Sequence, residues 1–214
     1  MLIVKNKQNI IIREFGLIDY HHCYQKMRNF TINRDKYTTD EIWLLQHNPI
    51  FTLGKSAKMT DFVISNNIRK YHSNRGGQIT FHGHGQLIVY VLIDLIRKKW
   101  KLQNLINYCY KSIQQVLDHY CIYSFTLEKI PGIFVKYLGE NAKIAFIGLR
   151  VHKGRSYHGF SVNIKLKHNY FSDIIPCGLK NMHITQLNEL INNVSFTKVQ
   201  KLFKTKLITN FNTN

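Results

Sequence analysis

The sequence predicts an α+β fold, on three observations. Strand-like runs and amphipathic helical runs alternate without the regular βαβ order of a parallel sheet. A block after Pro131 reads as antiparallel strands separated by turn-prone residues. The chain of 214 residues, 44% hydrophobic, is long enough for a substantial core and carries no repeat or linker, so residues 1–214 are expected to form a single domain. Taken in order, MLIVKNKQNI lacks the charged start, long apolar stretch and cleavage site of a secretory leader, and is read as an N-terminal strand of a cytoplasmic protein. IDYHHCYQKMRNF places Tyr20, Cys23, Tyr24, Met27 and Phe30 at helical spacing, which makes Cys23 a core thiol. EIWLLQHNPIFTLGK reads as two strands around Asn48-Pro49, and QLIVYVLIDL as a third. LQNLINYCYKSIQQVLDHY repeats apolar residues at 102, 105, 106, 109, 113, 116, 117 and 120, a helix with Cys109 on its buried side. GIFVKYL, KIAFIGLRV and HGFSVNIKL form the antiparallel block, separated by GENA and HKGRS. FTKVQKLFKTKLITNF closes the chain as a helix with Val199, Leu202, Phe203 and Phe211 on one side.

The formal net charge of +18 has two readings. One is an acidic partner such as a nucleic acid, a membrane surface or an acidic protein. The other is codon bias: alanine occurs only at Ala57, Ala142 and Ala145, while Lys, Asn and Ile crowd every row. The basic residues form no stripe with interleaved aromatics, which argues against nucleic-acid binding, and no apolar run is long enough to span a membrane. Cys23, Cys109, Cys121 and Cys177 include no CxxC pair and no structural-zinc spacing, and disulfides are not expected.

Chemistry concentrates at three places. RGGQITFHGHGQL, Arg75 to Leu87, packs four glycines and two histidines into one stretch. Glycine lets a ligand approach the backbone, so the stretch reads as a loop laying main-chain N–H groups against a ligand, with Arg75, Gln78, Thr80 and His82 at its mouth. An ordinary glycine-rich connection would look similar. It lacks the GK[ST] of a phosphate-binding loop, and His82-x-His84 offers a metal two ligands without a third. Pro176-Cys177-Gly178 predicts a sharp exposed turn that could present a nucleophile, though a thiolate there needs a neighbouring cation or base. Lys143, heading the apolar KIAFIGLRV, is either a solvated strand end or a partly desolvated group beside Cys177.

In this order, RGGQITFHGHGQL, PGIFV, KIAFIGLRV, HGFSVNI and IPCGL resemble the lipoyl(octanoyl) transferase family, with similarity running from about Ile42 to Leu179 and including WLLQHNPIFTLGK. The resemblance implies a fold like the catalytic domain of biotin and lipoate ligases. It implies transfer of an octanoyl or lipoyl group from acyl carrier protein to a lysine of lipoyl domains, in 2-oxoacid dehydrogenases or the glycine-cleavage H protein. By the same resemblance Cys177 carries the acyl thioester and Lys143 activates it. Arg75, Gly76, Gly77, Gln78, Ile79, Thr80, Phe81 and His82 form the acyl-binding segment, with Phe146, Ile147, Gly148, Gly159, Phe160 and Ser161 lining the same site. No metal or cofactor is implied, and the expected state is a monomer. Acidic carrier proteins would give the positive charge a steering role. His84 stands where the family has proline, restoring an N–H donor, and Phe81 stands for the usual tyrosine. Two alternatives remain: an ATP-dependent lipoate or biotin ligase of the same fold, and a basic nucleic-acid-binding module.

Overall fold

The computed structural model describes residues 10–64, 67–168, 170–176 and 182–212. In chain order the elements are β1 (Ile11–Ile18), α1 (Tyr20–Asn33), β2 (Glu41–His47), β3 (Ile50–Leu53), β4 (Arg69–His72), β5 (Ile79–His82), β6 (Gln86–Leu92), α2 (Leu95–Lys98) and α3 (Leu102–His119). There follow β7 (Ser124–Leu127), β8 (Ile130–Tyr137), β9 (Glu140–Ile147), β10 (Arg150–His152), β11 (Arg155–Tyr157), β12 (Gly159–Asn163), β13 (His183–Ile184), α4 (Leu187–Leu190) and α5 (Phe196–Phe211).

The main sheet runs β1-β2-β6-β12-β9-β8-β7, with β13 added to β9. Its pairings are antiparallel except β1 with β2, joined through α1, and β13 with β9. A small sheet, β4-β3-β5, stands beside it, and β10-β11 forms a separate hairpin. The mixed α/β fold expected from the sequence is therefore the one observed.

The central strand β6, buried throughout, shows how the sequence divides the core. Successive side chains of a strand point to opposite faces. Leu87, Val89 and Val91 join the cluster under α3 and α5, with Ile113, Val116, Phe203 and Leu207. Ile88, Tyr90 and Leu92 join Cys23 and Met27 of α1 on the other side. α1 starts where Asp19 accepts the His22 N–H, and α5 where Ser195 accepts the Lys198 N–H, each satisfying a donor the helix leaves open. Cys23 and Cys109 are buried on their helices, as their spacing predicts. Among the described residues no helix is long and apolar enough to cross a membrane.

Three expectations need correction or fall outside the described residues. Up to Asn9, the expected N-terminal strand lies outside them, and the first observed strand is Ile11–Ile18. KIAFIGLRV is two elements, because β9 ends at Ile147 and β10 begins at Arg150. RGGQITFHGHGQL is a loop only in part: Ile79–His82 is a buried strand, paired with β3 in register Thr52 to Thr80 and Ile50 to His82.

Candidate active site

A cavity of about 290 Å³ lies between two walls. One wall is Arg75 to Thr80 with His82; the other is Lys143, Phe146, Ile147, Gly148, Gly159, Phe160 and Ser161. Segments far apart in sequence thus meet around one space. Phe81 is not among the lining residues. It packs in the small-sheet cluster with its ring 5.6 Å from Phe51 and 5.9 Å from Phe171. The walls close on each other through glycine: a Cβ at Gly148 would stand 3.1 Å from the Gly76 carbonyl oxygen, and one at Gly76 3.1 Å from that of Leu149.

Of the four polar groups expected at the mouth of the glycine segment, Gln78 is half-buried and the other three lie deeper. Arg75, Thr80 and His82 are buried. Arg75 donates through Nε to Thr52 Oγ1 (2.9 Å), and through Nη2 and Nη1 to the carbonyls of Thr52 and Gly76 (2.6 and 2.9 Å). It is a buried fixed cation that clamps the segment to β3. A directed chain continues from it. The Thr52 hydroxyl, accepting from Arg75, turns its hydrogen to His82 Nε2 (3.3 Å), whose Nδ1–H donates to Gln86 Oε1 (2.7 Å). Gln86 Nε2 donates to Asn163 Oδ1 (2.8 Å), and Asn163 Nδ2 to the Thr185 carbonyl (3.1 Å). The Thr185 N–H then donates to the carbonyl of Lys143 itself (3.0 Å). The two walls of the cavity are therefore ends of one hydrogen-bonded chain.

The floor is polar, aromatic and neutral. Tyr90, a lining residue, donates to Nε2 of His47 (2.8 Å), which does not line the cavity itself and whose Nδ1–H faces the Ile18 carbonyl (2.9 Å). His158 Nε2 donates to Asn74 (2.8 Å). Burial pushes His47 down to about 4 and His158 down to about 3, the latter helped by the Arg75 and Arg150 charges. His82 is held well below its ordinary value, first by burial and then by His47, against the hydrogen bond it donates to Gln86. Tyr20, which lines the cavity and donates to Ser73, is raised by burial to about 12. Tyr20, Tyr90, His158 and Pro131, which line the cavity, and His47, bonded to Tyr90, were not among the site residues expected from the sequence. The only signal for the two histidines was adjacency, because His158 precedes Gly159 and His47 ends the WLLQH run.

Lys143 is 1% exposed, so it is no solvated strand end. Its ammonium lies 4.9 Å from the Phe146 ring centre and 5.5 Å from that of Phe134, within cation–π range. A β-bulge sets this face. Ile133 pairs with Ala145 and Phe134 with Lys143, leaving Ile144 as an extra residue. Ile144 and Ala145 both enter the helix-side core, while Lys143 and Phe146, three positions apart, both line the cavity. Strict alternation would have separated them.

Cys177 lies outside the described residues. The chain before it is tied down where the Ile175 N–H donates to the Asp61 carbonyl (2.7 Å). The chain after it is tied down where Ile184 pairs with Lys143. Burial pushes the Cys23 thiol up to about 12 and raises that of Cys109, so neither is a ready nucleophile. His84 lies away from the cavity lining: its Nε2 meets Asn48 Oδ1 at 3.1 Å, fastening the β5–β6 turn to the turn before β3. Among the described residues no group of three His, Cys, Asp or Glu side chains could hold a metal ion.

The family model for the lipoyl protein ligase A/B catalytic domain matches residues 19–208. The octanoyltransferase of Buchnera aphidicola subsp. Acyrthosiphon pisum is 39% identical over 194 residues, covering 91% of this chain and 90% of the relative. That of Vibrio cholerae is 39% identical over 203 residues, covering 95% and 92%. Among solved structures, a bipartite lipoate protein ligase from Thermoplasma acidophilum superposes with a TM-score of 0.74 at 11% identity, covering 94% of this chain and 84% of its own. The biotin protein ligase of Aquifex aeolicus gives 0.53 at 11% identity, covering 94% and 69%. At such identities these two likenesses concern the fold alone.

Proposed function

The chain belongs to the octanoyltransferases of the lipoyl protein ligase A/B catalytic domain family, and from that premise we propose that Cys177 and Lys143 carry its reaction. The protein is an acyltransferase of protein lipoylation. The donor in this reading is octanoyl-acyl carrier protein. The acceptor is a lysine of a lipoyl domain, in a 2-oxoacid dehydrogenase or the glycine-cleavage H protein. The enzyme works in the cytoplasm as a monomer.

The Cys177 thiol and the Lys143 amine share one proton, which on Lys143 gives the thiolate–ammonium pair, and the thiolate attacks the donor thioester carbonyl. The carbon–sulfur bond to the carrier breaks, that to Cys177 forms, and the carrier thiolate recovers the proton. An acceptor lysine amine then attacks the enzyme thioester. An amide forms, the bond to Cys177 breaks, and the proton lost by the amine restores the thiol. The first exchange, thioester for thioester, is nearly isoenergetic, and the second is downhill to an amide, so neither needs ATP. The observation carrying this reading is the buried Lys143 on the cavity wall, held by the strand pairing at Ile184 that follows the Cys177 segment.

The test is transfer from octanoyl-carrier protein without ATP, native enzyme against Cys177→Ala. The native protein transfers with ping-pong kinetics and the variant does not. Transfer by Cys177→Ala at the native rate would reject the mechanism. ATP-dependent use of free octanoate would favour the ligase alternative.

A further inference from the structure

We infer that Gly132, fixed by Tyr110, is the positioning residue that places the Lys143 ammonium; the inference rests on the assignment of Lys143 above. Gly132 lies on β8 just before its pairing with β9 begins at Ile133. Its N–H turns to helix α3, donating to the Tyr110 hydroxyl at 3.0 Å. Its φ is +132°, a conformation side-chain-bearing residues rarely adopt.

The missing side chain is the space Lys143 uses. A Cβ built on Gly132 would stand 2.3 Å from Lys143 Cε, 3.1 Å from its Nζ and 2.5 Å from the Ala145 carbonyl oxygen. The carbonyl belongs to the β9 backbone and cannot yield, so the lysine stem must. Lys143 therefore crosses β8 where Gly132 leaves a gap, and this path brings its ammonium between Phe134 and Phe146. The bulge and the gap act together: the bulge turns Lys143 to the cavity face, and the gap sets how far it reaches. Gly132 need touch no reacting atom, because it acts through the lysine. Tyr110 matters because its hydroxyl accepts the Gly132 N–H.

The experiment compares Gly132→Ala, Lys143→Ala, their combination and Tyr110→Phe, reading transfer rate and the pH dependence of Cys177 alkylation. A displacement near 1 Å of a catalytic group lowers rates by about 10²-fold, and that loss is expected for Gly132→Ala. Its alkylation midpoint moves up, in the direction of Lys143→Ala. The double variant is no slower than Lys143→Ala alone, because both changes remove the same group from its place. Multiplying losses in the double variant, or an unmoved midpoint in Gly132→Ala while Lys143→Ala shifts, overturns the inference. An unmoved midpoint in Lys143→Ala removes the role of Lys143 and this inference with it, which separates the two failures. Should Gly132→Ala not fold, Tyr110→Phe decides, since it keeps the ring and loses only the acceptor: a smaller upward shift supports the inference, and none overturns it.

Discussion

The two faces of the main sheet are both buried, and they are buried by different chemistry. Under α3 and α5 the face is aliphatic and aromatic, as with Leu87, Val89, Ile113, Phe203 and Leu207. Its stability comes from removing apolar area from water, which is non-directional and tolerant of exchange. Toward the cavity the lining includes Arg75, His82, Lys143 and His158, with His47, Gln86 and Asn163 hydrogen-bonded behind it, all buried. A buried polar group without a partner is expensive, and here Arg75, His82, Gln86, Asn163, His47 and His158 are each hydrogen-bonded, while Thr80 Oγ1 and Gln78 Oε1 are not. One face can be altered in detail and still fold. On the other, a change in one hydrogen-bonding residue is felt along the chain from Arg75 to Lys143.

The largest effect that would sharpen this contrast is Lys143→Ala. Losing a general base lowers rates by about 10²–10⁴-fold, so steady-state transfer should fall in that range while the circular-dichroism spectrum is kept. Phe203→Ala on the helix side should do the opposite. It should lower unfolding free energy by about 3–5 kcal/mol in urea, with the transfer rate per folded molecule retained. A rate loss beyond the folded fraction would blur the division between the faces.

Acid should attack the cavity face selectively. His47 titrates at about 4 when folded and near its ordinary 6.5 when unfolded. The unfolded chain therefore binds the extra proton, and stability falls as pH drops from 6.5 toward 4, with nothing lost above that window. The loss from this group is about 3 kcal/mol. His158 and His82, shifted the same way, add to it. His47→Gln should flatten the curve of urea stability against pH, and an equally steep curve would count against a neutral His47. Gln86→Leu strands the His82 Nδ1–H and the Asn163 carbonyl oxygen and should lower stability by about 1–3 kcal/mol, read in the same titration. The smallest effect is at the surface. Lys204→Ala removes an exposed ion pair with Glu14 and should change stability by less than about 1 kcal/mol, declining further with salt.

Legibility in the sequence followed the same division. α3 was readable because burial on one face leaves a 3.6-residue rhythm, and Leu105, Cys109, Ile113, Val116 and Leu117 are the buried apolar positions. β4 was not, because Arg69–His72 is largely exposed and carries no alternation. Nor was the break in KIAFIGLRV: Ile144 and Ala145 share a face only because of a bulge, and a bulge leaves no periodic trace. At the site, resemblance gathered residues that spacing alone would not, and the cavity brings together all of those within the described residues except Phe81. What neither spacing nor resemblance supplied was the polar floor. Which way His47 or Gln86 points depends on partners up to 77 residues away in sequence, as for Gln86 and Asn163. His84 shows the reverse case, a departure in the middle of the glycine segment that proves to be a bond between two turns.

If this cavity delivers an acyl group to Cys177, the group should be found there as a thioester. The most direct measurement is the intact mass of the protein after incubation with octanoyl-acyl carrier protein, followed by peptide mapping. A single octanoyl adduct is expected on the peptide containing Cys177, discharged when a lipoyl domain is added. An unmodified enzyme that nonetheless transfers octanoate, or an adduct on Cys23, Cys109 or Cys121, would contradict it.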